Sequence, residues 1–251
     1  MTNILTHVLD DHFFDLKYIR RVSRIEADAL KRIRWLRKLV HTRAELKGTV
    51  CVLGYWSVDK KTDTYTWTRH ILFQRQCKQQ RFHIILVDEI KEEHTHAGVL
   101  FIDTSRKTVE RFDPDQPFDP CVDDFFEYIL PKYGYKDYTY FPPHCIGNPQ
   151  AQRREGRLSN VNEKSCQYWT LIYLYKRLTQ PTKDPLKLLE DVSDHDFVSF
   201  INGIHRYFVL HEAVDTGLKN TMAITTYIRK DKRKRRFKLL DTLLLYLLKV
   251  V

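Results

Sequence analysis

The sequence lacks any apolar run long enough to span a bilayer, and residues 1–7 lack the basic start and apolar core of a secretion signal. It also lacks internal repeats and low-complexity linkers. These absences count against an integral membrane protein, a secreted protein and a repeat array. We therefore expect an intracellular protein that is not secreted and has no transmembrane helix.

The cysteines show no paired Cys-x-x-Cys spacing of the kind that holds zinc. There are five of them, an odd number at irregular intervals: Cys51, Cys77, Cys121, Cys145 and Cys166. This pattern favours a reducing compartment over a disulfide framework, and we expect no metal and no cofactor.

What is present is the composition of a globular protein, with 251 residues, 43% hydrophobic and 13% aromatic. Net charge is +10, from 42 basic and 32 acidic residues. Eight basic residues and one acidic residue between Arg229 and Lys238 supply most of it. Basic character is therefore concentrated in this segment, which fits a nuclear-import signal, contact with nucleic acid or an anionic membrane, or simply the solvated basic face of a terminal amphipathic helix. The apolar run that follows, 239–251, is too short to span a bilayer and fits an interfacial or core-packed helix.

A helical pattern dominates the first fifth of the chain. Ser23 to Glu26 fits a capping box, and apolar residues recur at helical spacing from Ile25 to Val40. The opposite face is basic and is expected to be solvated; it carries Lys31, Arg32, Arg34, Arg37 and Lys38. We predict a helical extension over residues 1–48.

Strand patterns follow, rich in β-branched and aromatic residues. They predict hairpins from 49–58 with 64–73 and from 97–102 with 108–112, a strand at 82–87 and a loop at 88–95. An aromatic strand is predicted at 135–141, and helices at 119–130, from Cys166 onward, at 186–192 and at 194–211. The fold class is α+β: a central mixed or antiparallel sheet packed on a buried helix that starts at Cys166, with flanking helices. We predict one domain over 1–228 and a basic, apolar tail over 229–251.

The second hairpin places a histidine beside an aspartate. If its turn is centred near Ser105, antiparallel pairing puts His96 next to Asp113 and Pro114. Asp103, at the end of a strand, fits a turn-forming residue. An imidazole and a carboxylate then share one edge of the sheet.

Cys166 opens the apolar segment SCQYWTLIYLYKRL. The first N–H groups of a helix have no intrahelical partner and carry the positive end of its dipole, so a thiolate at this position is stabilised. The alternative is an ordinary core cysteine, since free cysteine is among the most buried residue types.

The order His96, Asp113, a glutamine-bearing loop and Cys166 resembles the papain-like cysteine peptidases that include SUMO-type ubiquitin-like-protein proteases and adenovirus-type processing proteases. The carriers are HAGVLFIDTSRKTVERFDPDQPF and SCQYWTLIYLYKRL, with 17 positions from His96 to Asp113 and 53 more to Cys166. The ERFDP step and the later C-x-x-W helix are similar to versions from large DNA viruses.

This resemblance implies a thiol endopeptidase that cleaves a viral polyprotein or a ubiquitin-like modifier, in a host cytoplasm or nucleus or in a virion. Cys166 would attack, His96 would act as general base and acid, and Asp113 would orient His96. Gln150 is the preferred oxyanion donor, with Gln152 and Asn160 left open. The chain departs from the SUMO-protease pattern at Ala97, where that branch usually has tryptophan, and at Ser165 and Gln167, which flank the cysteine.

Two alternatives stay open. One is an inactive or non-enzymatic virion or binding protein, whose basic tail holds nucleic acid or membrane. The other is a zinc site using His94 and His96, which share a face if the segment is a strand but lack further ligands at characteristic spacing.

Overall fold

A computed structural model of the chain describes residues 16–70, 77, 79–90, 95–114, 119–146, 165–210, 222–231 and 236–240. The helices in these ranges are α1 (Leu16–Thr42), α2 (Pro120–Ile129), α3 (Ser165–Thr179) and α4 (Asp194–Leu210). The strands are β1 (Val50–Asp59), β2 (Thr64–His70), β3 (Phe82–Ile90), β4 (Thr95–Asp103), β5 (Thr108–Phe112), β6 (Thr139–Phe141), β7 (Met222–Asp231) and β8 (Arg236–Leu240). Short 3₁₀ turns cover Ala44–Leu46, Leu130–Tyr133, Pro143–Cys145 and Pro185–Lys187.

All eight strands join one mixed sheet, in the order β6-β5-β4-β3-β1-β2-β7-β8. The β1–β3 and β5–β6 pairs are parallel, and the other pairs are antiparallel. Helix α3, which begins one residue before Cys166, packs on β4. The predicted fold class, an α+β sheet packed on this buried helix with flanking helices, is confirmed.

Helices cover both faces of the central strands, which explains why every residue of β3 is buried. One face packs against α1, α3 and α4, where the Trp169 and Phe197 rings stack with centroids 4.3 Å apart. The other face packs against α2, where Tyr65 stacks on Phe125 at 3.8 Å. The short element α2 starts at a cap, because the Asp119 side chain accepts hydrogen bonds from the backbone N–H groups of Cys121 and Val122.

Four local predictions were wrong. The strand predicted at 135–141 is confined to Thr139–Phe141, and a turn precedes it. Helix α1 starts at Leu16, so Ser23 lies inside the helix and not at its cap. Strand β3 continues to Ile90, through the first part of the segment predicted as a loop, because partners in β1 and β4 extend its hydrogen-bonded ladder. Only a 3₁₀ turn over Pro185–Lys187 occupies the start of the helix predicted at 186–192.

A disulfide joins Cys51 in β1 to Cys77, with the two Cα atoms 5.5 Å apart. Disulfides are rare in reducing compartments, so this pair runs against the compartment expected from cysteine spacing. Irregular spacing gave no sign of it, because 26 residues separate the two cysteines along the chain.

The C-terminal part of the described chain continues the sheet. Strand β7 pairs with β2, so the predicted boundary between 228 and 229 falls inside a strand, and β8 contains part of the basic segment. The division into domain and tail stays a prediction, and residues 241–251 lie outside the described residues. None of the helices in the described part combines the length and apolar character that a membrane span needs.

Candidate active site

The β4–β5 hairpin brings His96 and Asp113 into contact. Val99 pairs with Phe112, one residue away from the register predicted from sequence. His96 Nε2 lies 2.6 Å from Asp113 Oδ1, and both side chains are almost fully buried, at 1% and 2% exposure. A hydrogen bond of this kind fixes the ring's orientation and stabilises its protonated form.

Gly98 allows β4 and β5 to approach closely beside this pair. A Cβ atom at position 98 would lie 2.8 Å from the Phe112 carbonyl oxygen, which is closer than van der Waals contact permits. Because that oxygen belongs to the backbone directly before Asp113, a larger residue at position 98 would displace Asp113. The glycine therefore contributes to the geometry of the His96–Asp113 pair.

Cys166 is held against the residue that follows His96. The backbone N–H of Ala97 points at Cys166 Sγ, with an N–S distance of 3.4 Å. Thr170 Oγ1 lies 3.1 Å from the Ala97 carbonyl oxygen and 2.8 Å from that of Cys166, so α3 is fixed to β4 at this point. Cys166 is buried, at 5% exposure, and occupies the first turn of α3.

The proton transfers that His96 can make depend on which of its ring nitrogens contacts Asp113. Since Nε2 of His96 contacts Asp113, proton exchange with a thiol would go through Nδ1. The Ala97 N–H group lies within hydrogen-bonding distance of the sulfur, and Cys166 lies in the first turn of α3, where backbone N–H groups lack intrahelical acceptors. His96 contacts Asp113, and the Cys166 sulfur lies against Ala97, the residue that follows His96, so a candidate nucleophile, base and orienting group come from adjoining elements.

A buried charge network continues from Asp113 to helix α2. Arg111 Nη1 lies 3.4 Å from Asp113 Oδ2, and the same guanidinium binds Asp123 through Nε and Nη2 at 2.7 and 3.1 Å. Burial acts to lower the pKa of Arg111, but the opposing effects of Tyr140 and Asp123 are larger. The pKa therefore lies above its ordinary value. We call His96, Asp113, Arg111, Asp123 and Glu89 the site cluster.

Glu89 enters the cluster from β3, where it is the strand partner of His96. Its Oε1 atom lies 3.6 Å from Arg111 Nη1, and its Oε2 atom lies 2.6 Å from Lys60 Nζ. Lys60 also pairs with Asp119 at 2.5 Å. Burial acts to lower the pKa of Lys60, but the opposing effect of the two carboxylates is larger. The pKa therefore lies above its ordinary value. The β1–β2 turn is thereby joined to the start of α2.

Helix α1 contributes two charged residues that contact β3 and the start of α3. Arg32, predicted to be solvated, is fully buried and forms an ion pair with Asp88 of β3. Burial raises the pKa of Asp88 above its ordinary value, and Arg32 opposes that rise. One turn earlier, Asp28 Oδ2 accepts a hydrogen bond from Gln167 Nε2 at 3.1 Å. The sequence prediction for Arg32 was wrong because the apolar stripe of α1 was taken as its entire buried face.

The remaining predicted site residues lie outside the described residues. These are the three candidate oxyanion donors, Gln150, Gln152 and Asn160, together with His94. Within the described ranges, no group of three or more His, Cys, Asp or Glu side chains is arranged to hold a metal ion.

Sequence reasoning missed Arg111, Asp123, Glu89 and Asp28, and it assigned Arg32 to solvent. One signal was present for Arg111, which stands as a charged residue within a short strand. Another was available for Asp28 and Arg32, since their spacing of four residues puts them on the same helix face. Neither signal identifies the partner, because Asp123, Gln167 and Asp88 come from other elements.

No protein-family model matches the sequence, and a comparison with curated proteins finds no match. Among solved structures, the chain is similar to the Chlamydia trachomatis effector protein ChlaDUB1, with 12% identity and a TM-score of 0.37 over 76% of this chain and 73% of that one. It is also similar to the Chlamydia trachomatis effector protein Cdu1 bound to ubiquitin, with 11% identity and a TM-score of 0.36 over 76% and 80% of the two chains. Similarity at this level carries no argument about activity.

Proposed function

We propose that this protein is a cysteine peptidase that uses Cys166 as nucleophile, His96 as general base and acid, and Asp113 to orient His96. The observation that carries the proposal is the 2.6 Å contact between His96 and Asp113, next to Cys166 Sγ at 3.4 Å from the Ala97 nitrogen. Cys166, far from the other two residues in sequence, lies in the first turn of α3 against the residue that follows His96.

The reaction has two stages. In the first, Cys166 sulfur attacks the scissile carbonyl carbon and His96 transfers a proton to the departing amine, which leaves a thioester on Cys166. In the second, His96 takes a proton from water, the water oxygen attacks the thioester, and the acid product leaves as Cys166 regains its thiolate.

Negative charge on the carbonyl oxygen needs donors during both stages. The backbone N–H of Cys166 lies in the first turn of α3 and is one candidate. The second donor in this proposal is the Gln150 side chain, with Gln152 and Asn160 as alternatives. Replacing each of the three by alanine separates them, because removal of one oxyanion donor costs about 10²- to 10³-fold in kcat.

The proposed substrate is a ubiquitin-like modifier or a viral polyprotein, following the sequence resemblance of the HAGVLFID and SCQYWTL segments. A panel of ubiquitin, SUMO and other modifiers carrying a thiol-reactive group at the C-terminus tests the first class. Mass spectrometry of the labelled protein then identifies the cysteine that has reacted. We expect label on Cys166.

The other two free cysteines are the matched controls, since Cys121 is exposed and Cys145 is half-buried. Cys121→Ala and Cys145→Ala should keep labelling and cleavage, whereas Cys166→Ala and His96→Ala should lose both. The proposal fails if Cys166→Ala and His96→Ala retain full activity on every substrate that the wild type cleaves.

A second candidate function is a binding protein without catalysis. It rests on the basic segment Arg229–Lys238, which carries eight basic residues and one acid. Absence of labelling across the panel, together with DNA or anionic-vesicle binding that weakens steeply with salt, would favour this function.

A further inference from the structure

Strand β5 carries alternating side chains to two different helices. On one face, Glu110 accepts a hydrogen bond from the Tyr173 hydroxyl at 2.6 Å, and Phe112 stacks on the Tyr173 ring at 4.3 Å. On the other face, Arg111 contacts Asp123 of α2. Asp113, directly after the strand, continues the second face. In the motif ERFD, the first and third residues therefore pack on α3, and the second and fourth belong to the site cluster.

A buried arginine forms an ion pair on each of these two faces. Arg177, near the end of α3, forms an ion pair with Glu110 and donates to the Lys183 carbonyl oxygen at 2.6 Å. Arg111 pairs with Asp123, and its remaining terminal nitrogen, Nη1, is directed at Asp113 and Glu89 at 3.4 and 3.6 Å. We call Glu110, Tyr173 and Arg177 the anchor cluster. Both arginines are almost fully buried, but only Arg111 reaches the carboxylate that contacts His96.

We propose that Arg111 is a positioning residue for the reaction, because it holds one oxygen of Asp113 so that the other oxygen faces His96. This inference rests on the proposed function, in which Asp113 orients His96. Arg111 itself donates two hydrogen bonds to Asp123, and these fix the plane of the guanidinium that faces Asp113. Tyr140 donates to Asp123 at 2.5 Å and fixes that carboxylate in turn.

The role calls for a guanidinium and not only for a positive charge. Arginine presents a planar fork that binds Asp123 through two nitrogens while a third faces Asp113. A lysine ammonium is a single point donor and would reach one carboxylate or the other. Lysine at position 111 should therefore keep the local charge but lose the orientation of Asp113.

The charge has a separate effect, because titratable groups from several elements form a network around the His96–Asp113 pair. They are Asp88 and Glu89 of β3, Lys60 of the β1–β2 turn, Asp119 and Asp123 at the start of α2, Tyr140 of β6 and Cys166 of α3. Removing a cation from such a cluster makes each remaining group bind protons more readily. Glutamine at position 111 should move both limbs of the pH profile of kcat/KM to higher pH.

The test compares Arg111→Lys and Arg111→Gln with Arg177→Lys, a control that also alters a buried arginine–carboxylate pair. Kinetics are measured on a cleaved modifier substrate. Proton NMR is measured on each variant in a Cys166→Ala background, following the downfield Nε2–H signal of His96, assigned among the eleven histidines by its loss in His96→Gln. Should Arg111→Gln fail to fold, Arg111→Lys carries the test.

We expect Arg111→Lys to lower kcat about 100-fold with KM within about threefold of wild type, and to weaken or shift the His96 signal. Arg177→Lys should lower stability but leave the signal and both pH limbs in place. The proposal is overturned if folded Arg111→Lys keeps wild-type kcat and an unchanged signal, or if Arg177→Lys changes them as much.

The two proposals fail separately. A wild-type protein that cleaves nothing overturns the peptidase function, but the His96 signals of the variants still report whether Arg111 orients Asp113. Conversely, an active wild type with an Arg111→Lys variant that behaves like it overturns only the role of Arg111.

Discussion

The site cluster and the anchor cluster use the same chemistry on opposite sides of one strand. Each buries an arginine against a carboxylate, and each adds a tyrosine hydroxyl, Tyr140 in one and Tyr173 in the other. They differ in what else the carboxylates contact. Glu110 binds Tyr173 and Arg177 of α3, whereas Asp113 contacts a histidine beside a cysteine. Burial and ion pairing are therefore common to both clusters, and the contact with a histidine beside a cysteine is what makes the site cluster the candidate for chemistry.

Asp113→Asn gives the largest expected effect and separates the clusters most clearly. An amide at this position cannot hold His96 in the same tautomer, so kcat/KM should fall about 10³- to 10⁴-fold with the fold retained. The counterpart in the anchor cluster is Glu110→Gln, which should unfold at lower urea while the folded fraction keeps wild-type kcat. Equal loss of activity in the two folded variants would contradict the distinction.

Arg177→Ala should have the largest effect on stability. It leaves Glu110 buried without its charged partner, and breaking a buried pair in this way costs about 3–5 kcal/mol of the free energy of unfolding. Urea denaturation followed by circular dichroism measures the loss. An exposed pair serves for comparison: removal of Lys176, which contacts Asp191 at the surface, should cost no more than about 1 kcal/mol.

Gly98→Ala should affect the reaction more than the fold. The new Cβ would meet the Phe112 carbonyl oxygen, push β5 away from β4 and displace Asp113, lowering kcat about 100-fold. Gly203→Ala is the control, because a Cβ at position 203 in α4 meets nothing within 4 Å, and alanine should stabilise the helix by about 1 kcal/mol. If Gly98→Ala keeps wild-type kcat, the close approach of the strands does not set the geometry of the pair.

Replacing His83, which belongs to neither cluster, should have the smallest effect. It changes only how stability depends on pH. Its ring contacts the Tyr135 hydroxyl and the Cys77 carbonyl oxygen at 2.8 Å each, and burial lowers the pKa of His83 below its ordinary value. Between that lowered pKa and about 6.5, the unfolded chain binds a proton that the folded protein does not, so stability falls as pH falls, by at most about 1.4 kcal/mol per pH unit.

The measurement is the free energy of unfolding of wild type and His83→Gln between pH 5 and 8. The variant should lose this part of the pH dependence. A His83→Gln protein with an unchanged slope would mean that other groups produce the acid sensitivity.

How far the sequence predicts this molecule depends on the range of the interactions. His96 and Asp113 could be placed side by side because a short turn fixes the register of two adjacent strands, and the structure differs by one residue. Cys166 could be placed at a helix start from local signals. The link between that helix and β4, through Ala97 and Thr170, joins residues about seventy positions apart, and no local pattern encodes it.

The buried charges were predicted least well, for a physical reason. Sequence patterns assign charged residues to solvent, because burying an unpaired charge is unfavourable. Arg32 and Arg111 escape that rule only because Asp88 and Asp123 are supplied by other elements. Which charge will be paired is a property of the tertiary fold, so Arg111 remained hidden although it lies two residues from Asp113.

Helix α1 limits how far the protein can be trimmed. The sequence pattern treats residues 1–48 as an extension, but a fragment starting at Gly48 would leave Asp88 as a buried carboxylate without Arg32 and Gln167 without Asp28. Such a fragment would also uncover the apolar residues against which Ala29, Ile33 and Leu36 pack. Anyone seeking a minimal domain for crystallisation or screening should therefore keep α1, and a protease nick within that helix would weaken its contacts with β3 and α3.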